Sequence, residues 1–220
     1  KSRFDKENSP DNFYYHLVLL AENNKGYDNL IKIVSYGFKD GFYYKPRVDI
    51  ELLEKYHEGI IALSACLAGP VARTIIRQGY DKAKEVALRY NNIFGENNFF
   101  LELQDHMDGS VDQQTVNQSL MRMHQETGIP LVATNDCHYI SPEDAEAHDI
   151  LLCIQTNTTV DEADRMRYEG GQYYVKSPEE MYSLFPYAHQ ACENTYKIAQ
   201  RCNVEFEFGN YKLPVFDVPD

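Results

Sequence analysis

Asp136 and His138 stand two residues apart in Thr134-Asn135-Asp136-Cys137-His138-Tyr139, directly after the apolar run Ile129-Pro130-Leu131-Val132-Ala133. On an extended backbone, side chains two apart share a side, so this carboxylate and imidazole can address one ion while Cys137 faces away. An oxygen ligand beside an imidazole suits zinc, manganese or iron. The same spacing also arises from a turn aspartate next to a surface histidine, and the pair alone does not separate the two readings.

Other residues sit where chemistry is possible. Cys66, in Leu63-Ser64-Ala65-Cys66-Leu67-Ala68-Gly69, follows an apolar run and precedes a helical one, as a thiolate ligand or a buried structural thiol would. Asp105 and His106 close the run Phe99 to Gln104 and read mainly as solvated turn residues. His16 precedes its apolar run, which puts it near the wrong end of its strand; spacing alone makes it a histidine satisfied by its neighbours. Arg47 and Asp49 suit a local ion pair better than a phosphate site. His148 reads as a packing or capping residue, and His57, His124 and His189 have no partners in sequence. The 17 tyrosines scatter, which does not indicate a base-stacking platform.

The elements that must position these groups follow from periodicity. Phe13 to Leu20 reads as a buried strand, interrupted by Asn23-Asn24 and Gly26, and a helix runs from Asp28 to Gly41 on Leu30, Ile31, Val34 and Phe38. Residues 59–64 form the next strand, followed by helices over 69–78 and 81–94, the latter with Val86, Tyr90, Ile93 and Phe94 on one side. A strand over 99–103 leads to a helix over 112–127 whose stripe of Val116, Leu120 and Met123 is a core face. Ser141-Pro142-Glu143-Asp144 starts a helix reaching Cys153, Ser177 to Glu180 is a capping box, and a last helix spans 187–202. Alternating strands and helices predict a parallel sheet, doubly wound or closed into a barrel. In either case ligands gather at the carboxyl ends of the strands, where Asp136 and His138 lie.

Composition narrows the function classes. The 34 acidic and 21 basic residues give a net charge of −13, which disfavours a primary clamp on nucleic acid phosphates and accommodates metal binding. No apolar stretch is long enough to span a membrane, and no signal peptide is visible. Five cysteines with no C-x-x-C pair disfavour a disulfide framework, suggest small buried hydrophobes and make a reducing cytoplasm the default location. Glycine-rich phosphate loops, G-x-S-x-G and H-E-x-x-H are absent from the sequence. The start at Lys1-Ser2-Arg3 and the closing Pro214 to Asp220, which reads as a connector, suggest a piece of a longer protein.

Several stretches together resemble one family, the PHP (polymerase and histidinol phosphatase) domain of the bacterial replicative DNA polymerase III alpha subunit. They are His16 to Ala21 with Gly26 to Leu30, Pro46 to Asp49, Leu63 to Leu67, Leu101 to Gln104, Ala133 to Tyr139 and His148 to Leu151. Lys176 to Met181, Asn194-Thr195 and Arg201 to Asn203 continue the resemblance in order over nearly the whole chain.

The resemblance implies a distorted (β/α) barrel of PHP type whose strand ends hold divalent metal ions (Zn, Mn or Fe) for phosphoester hydrolysis. By position, the metal ligands fall on His16, Cys66, Asp136 and His138, which overrides the spacing-based reading of His16 and demotes Asp105 and His106. The family's opening His-x-His, its Asp-His pair and a ligand Glu have no counterparts here, so the barrel is expected to be incomplete and metal binding partial or absent. Residues 1–213 are assigned to the PHP domain and 214–220 to a connector toward the polymerase core.

The implied parent is a DNA-directed DNA polymerase whose nucleotidyl transfer lies in other domains, with a 3′→5′ exonuclease-type activity in its PHP domain. Its implied partners are the rest of the alpha subunit, replisome proteins and DNA, with no membrane. The alternatives are a non-catalytic module that braces the polymerase or docks a proofreading exonuclease, and a free-standing histidinol-phosphatase-like enzyme.

Overall fold

The computed structural model describes residues 2–7, 14–211 and 213–214, so Phe13 and the proposed connector beyond Pro214 lie outside the described residues. The chain is a mixed α/β fold around an open four-stranded sheet. Strand β1 (Val18–Ala21) leads into α1 (Asn24–Lys39) and α2 (Ile50–Tyr56). Then come β2 (Ile60–Leu63), α3 (Pro70–Gln78), α4 (Tyr80–Phe94), β3 (Phe99–Leu103), α5 (Val111–Thr127) and β4 (Leu131–Ala133). Helices α6 (Ala145–Thr156), α7 (Pro178–Leu184) and α8 (His189–Arg201) complete the described chain.

Local chemistry explains several boundaries. Asn23, expected as part of a break, is the N-cap of α1: its side chain accepts the Gly26 N–H at 3.0 Å, which starts the helix earlier than the apolar pattern alone indicated. Helix α2 has no apolar repeat long enough to announce it and was not expected; it starts because the Asp49 side chain accepts the Leu52 N–H at 3.2 Å. Ser177 and Glu180 form the expected capping box of α7.

The sheet order is β1-β2-β3-β4, with β2, β3 and β4 mutually parallel. Strand β1 departs from the all-parallel expectation. It runs antiparallel to β2, with Val18 opposite Leu63 and Ala21 opposite Ile60. Neighbouring strands follow one another in sequence, without the reversal that makes the crevice of a doubly wound sheet.

Each face of the sheet carries apolar side chains, as the period of two requires. Ile60, Ala62, Phe99, Leu101, Leu103, Leu131 and Ala133 join the larger core, beneath helices that include Val71, Val116, Leu120 and Met123. Ile61, Leu63, Phe100 and Val132 face the other way onto Ile198 of α8. Helix α8 also closes the outer edge of β4, where the Asn194 amide donates to the Leu131 carbonyl at 2.7 Å. Arg201 at its end donates to Glu22 at 2.8 Å and to the Asn97 carbonyl at 2.6 Å.

At the amino ends of the parallel strands the backbone is crowded. A Cβ on Gly26 would lie 1.7 Å from the Gly59 carbonyl oxygen, so only glycine lets the first turn of α1 seat against the turn before β2. Asn29 reaches across the same junction to the Glu58 carbonyl at 2.9 Å.

The expected Arg47–Asp49 pair does not form. Asp49 binds Arg3 at 2.9 Å, while Arg47 donates to the carbonyls of Gly41 and Arg3, each at 2.9 Å. All five cysteines are free, but only Cys153 and Cys192 are fully buried. Cys66 and Cys202 are half-buried and Cys137 is exposed, so burial is not their common property.

Candidate functional site

The reversed direction of β1 removes the difficulty with His16. The amino end of β1 lies beside the carboxyl end of β2, so His16, two residues before β1, and the residues after β2, β3 and β4 meet at one edge. The His16 N–H donates to the Ala68 carbonyl at 3.0 Å, and its Nδ1 lies 3.6 Å from Cys66 Sγ.

The loop carrying Cys66 is tightly folded. Ala65 has a φ of 62°, the Gly69 N–H donates to the Cys66 carbonyl at 2.7 Å, and a Cβ on Gly69 would lie 2.0 Å from the Ser64 carbonyl oxygen. Burial pushes the Cys66 thiol up from its ordinary value; the carboxylates of Asp136 and Glu102 push the same way, against the Ala68 N–H.

Asp136 and His138 are also brought together, though not by strand alternation. Asp136 has a φ of 42°, so the chain has left the extended conformation and turns through the left-handed region. That turn places Asp136 Oδ1 3.6 Å from His138 Nε2. Cys137 points elsewhere, with its Sγ 3.3 Å from the Tyr174 carbonyl. The turn is fastened to the segment between α6 and α7: the buried Asn135 amide donates to the Gln172 and Tyr174 carbonyls, each at 2.7 Å, and the His138 N–H donates to Tyr173 at 2.8 Å.

The tyrosines do not scatter here. Tyr168 lies against the His138 ring at 4.2 Å between centroids and against His148 at 5.3 Å, so His148 packs as expected. Tyr173 stacks on His106 at 3.9 Å, and burial chiefly pushes its phenol up to about 12. His106 corrects the solvated-turn reading: it is buried, its Nε2 meets the Asn135 carbonyl at 3.0 Å, and burial lowers its pKa. Asp105 is the turn residue expected, accepting the Met107 N–H at 2.8 Å.

Sequence reasoning missed Glu102. A lone acid inside Phe99-Phe100-Leu101-Glu102-Leu103 was a visible signal, but it pointed to no partner. Glu102 is 5 % exposed and accepts from the Ala65 N–H at 2.8 Å and from the Thr134 hydroxyl at 2.5 Å. Burial pushes its carboxyl up, against these hydrogen bonds.

The donor types fit a metal ion of the zinc, manganese or iron class: a thiol with one imidazole, and a carboxylate with another, at one strand edge over a buried carboxylate. Among the described residues no three His, Cys, Asp or Glu side chains are grouped to hold one ion. Each pair therefore offers half of a four-coordinate set.

Residues 3–106 match the family model of the PHP domain. Over that span the chain is similar to the PHP domain family. His16, Cys66 and Glu102 fall inside the matched span, and Asp136 and His138 beyond it.

Similarity to longer proteins covers those residues too. The chain is 44% identical over 206 residues to a Borreliella burgdorferi protein named DNA polymerase III subunit alpha, across 93% of this chain and 18% of that protein. Proteins of the same name from Treponema pallidum and Thermus aquaticus are 42% and 40% identical, over 100% of this chain and 19% and 18% of theirs. The chain thus spans about a fifth of the length of these curated relatives. None of its described helices is long and apolar enough to cross a membrane.

Proposed function

We propose that this chain is the PHP domain of a bacterial DNA polymerase III alpha subunit and supplies part of a divalent-metal phosphoesterase site. The domain takes in residues 1–213, and its sheet is one side of a distorted (β/α) barrel. The step of the sheet from β1 to β4 without reversal supports that shape. The observation that carries the site is the meeting of His16 with Cys66 at the edge that also holds Asp136 and His138. Two donor pairs do not close a site, so the remaining ligands belong to the full-length protein. A divalent ion bound there would polarise a phosphoryl oxygen and activate water for release of a 3′-terminal nucleotide.

The residues of this chain do the positioning. His16 and Cys66 hold one side of the edge, and the Asp136 turn holds the other. Tyr168 fixes the plane of the His138 ring. The full-length protein acts in the cytoplasm on DNA with replisome partners, and its nucleotidyl transfer belongs to domains outside this chain.

The test is release of 3′-terminal nucleotides from a labelled primer by the full-length protein with Mn or Zn. His138→Ala is expected to abolish it, and release unchanged by that substitution overturns the catalytic reading. The second reading, a module that braces the polymerase or docks a proofreading exonuclease, is favoured by the lack of any described group of three donors. It predicts no metal-dependent release in the wild type.

A further inference from the structure

Glu102 occupies the strand between the two donor-bearing loops. Its carboxylate oxygens divide between them. Oε2 accepts the N–H of Ala65, the residue before Cys66, at 2.8 Å; Oε1 accepts the hydroxyl of Thr134, two residues before Asp136, at 2.5 Å. The Glu102 N–H donates to Ser64 Oγ at 2.8 Å, and Gln104 Nε2 donates to Oε1 at 3.2 Å.

These contacts act where the backbone is least favourable. Each loop contains a non-glycine residue in the left-handed region, Ala65 with φ 62° and Asp136 with φ 42°. Such conformations persist only where the surroundings over-determine them. Glu102 supplies a fixed acceptor to the Cys66 loop and another to the approach to Asp136.

The charge points the same way. All three side-chain or backbone donors to the carboxylate are neutral, and among the described residues it has no ion-pair partner. An ionised carboxylate at this depth is costly unless a cation offsets it. The Asp136 carboxylate acts on it in the same direction as burial and adds to the cost.

We propose that Glu102 is a positioning residue of the metal site, clamping the Cys66 and Asp136 loops to one strand and providing the buried negative charge that a bound divalent cation offsets. The inference rests on the metal reading given above. In this role Glu102 is not a ligand; it acts through its hydrogen bonds to the two loops and through its charge.

The experiment uses full-length protein stripped of metal and titrated with Zn against a chromophoric chelator, and with Co to read the thiolate-to-cobalt absorption of Cys66. Glu102→Gln keeps the shape and removes the charge; it is expected to weaken Zn binding by about 10- to 100-fold and to shift the cobalt spectrum. Glu102→Asp, which restores the charge, is expected to recover part of the affinity. Wild-type affinity and spectrum in Glu102→Gln, with binding lost in Cys66→Ser and His138→Ala, overturns the role of Glu102 alone. Binding unchanged in Cys66→Ser and His138→Ala overturns the metal reading and this inference with it. Where circular dichroism shows Glu102→Gln unfolded, Thr134→Val removes a single arm of the clamp; weaker Zn binding supports the proposal and unchanged binding overturns it.

Discussion

Cys66 Sγ lies 3.6 Å from His16 Nδ1 although 50 residues separate them. The contact depends on the antiparallel start of the sheet and on the folded loop after β2, and both can be perturbed without touching either residue.

Gly69→Ala is the sharpest perturbation of that loop. The added methyl would meet the Ser64 carbonyl at 2.0 Å, and a backbone atom cannot swing aside as a side chain can. A destabilisation of about 1–3 kcal/mol is expected in urea denaturation, with faster modification of Cys66 by a thiol reagent. Unchanged stability and thiol reactivity would show that the loop relaxes freely.

Asp49 gives a signed pH dependence. Burial alone would raise its carboxyl, but the N–H groups of Arg3 and Leu52 and the Arg3 guanidinium outweigh it and hold the carboxyl below its ordinary value. A depressed folded-state value means the stabilisation is complete above the unfolded value near ~4 and is lost as pH falls through the folded one. Asp49→Asn is expected to lose about 2 kcal/mol at neutral pH and to flatten the acid limb of the stability curve. Parallel curves for variant and wild type would contradict this.

Arg165 secures the segment that carries Tyr168 and Tyr173. Its guanidinium, sheltered by the protein, grips Asp149 through two nitrogens at 2.6 and 2.5 Å. Arg165→Lys replaces a planar fork by a point charge. Hydrogen exchange is expected to speed up over residues 165–175 while α5 stays protected, and an unchanged exchange pattern would refute the assignment.

Glu126 is a hub for Tyr80, Lys84 and Arg122, contacted at 2.8, 2.7 and 2.7 Å. The Lys84 hydrogen bond first, then those of Arg122 and Tyr80, pull its carboxyl down to about 2. Burial and then Glu126 raise the Tyr80 phenol to about 12. Glu126→Gln is expected to bring the Tyr80 titration part of the way back toward ~10, read by NMR of ring-labelled tyrosine. No movement would leave burial as the whole cause.

The helices were legible because their apolar spacing is local: expected spans of 69–78, 81–94 and 112–127 became Pro70–Gln78, Tyr80–Phe94 and Val111–Thr127. The direction of β1 was not, since a run such as Val18-Leu19-Leu20 pairs equally well either way. The resemblance named His16 where spacing argued against it, and the antiparallel pairing supplies the physical reason for its place. Arg3–Asp49 and Glu102–Ala65 were illegible for a different cause: their partners lie 46 and 37 residues apart, and nothing local marks them. Asp136 and His138 do come together, but through a turn in place of the expected extended strand.

The contact between Gly26 and Gly59 lies at the far end of the sheet from the donors, yet it is the stop against which β1 is registered. Ala21 must face Ile60 for α1 to enter beside Gly59, and Val18 then faces Leu63. A slip of one residue would turn every β1 side chain to the opposite face. The aim of the His16 imidazole is thus set remotely, by two glycines that take no part in its chemistry.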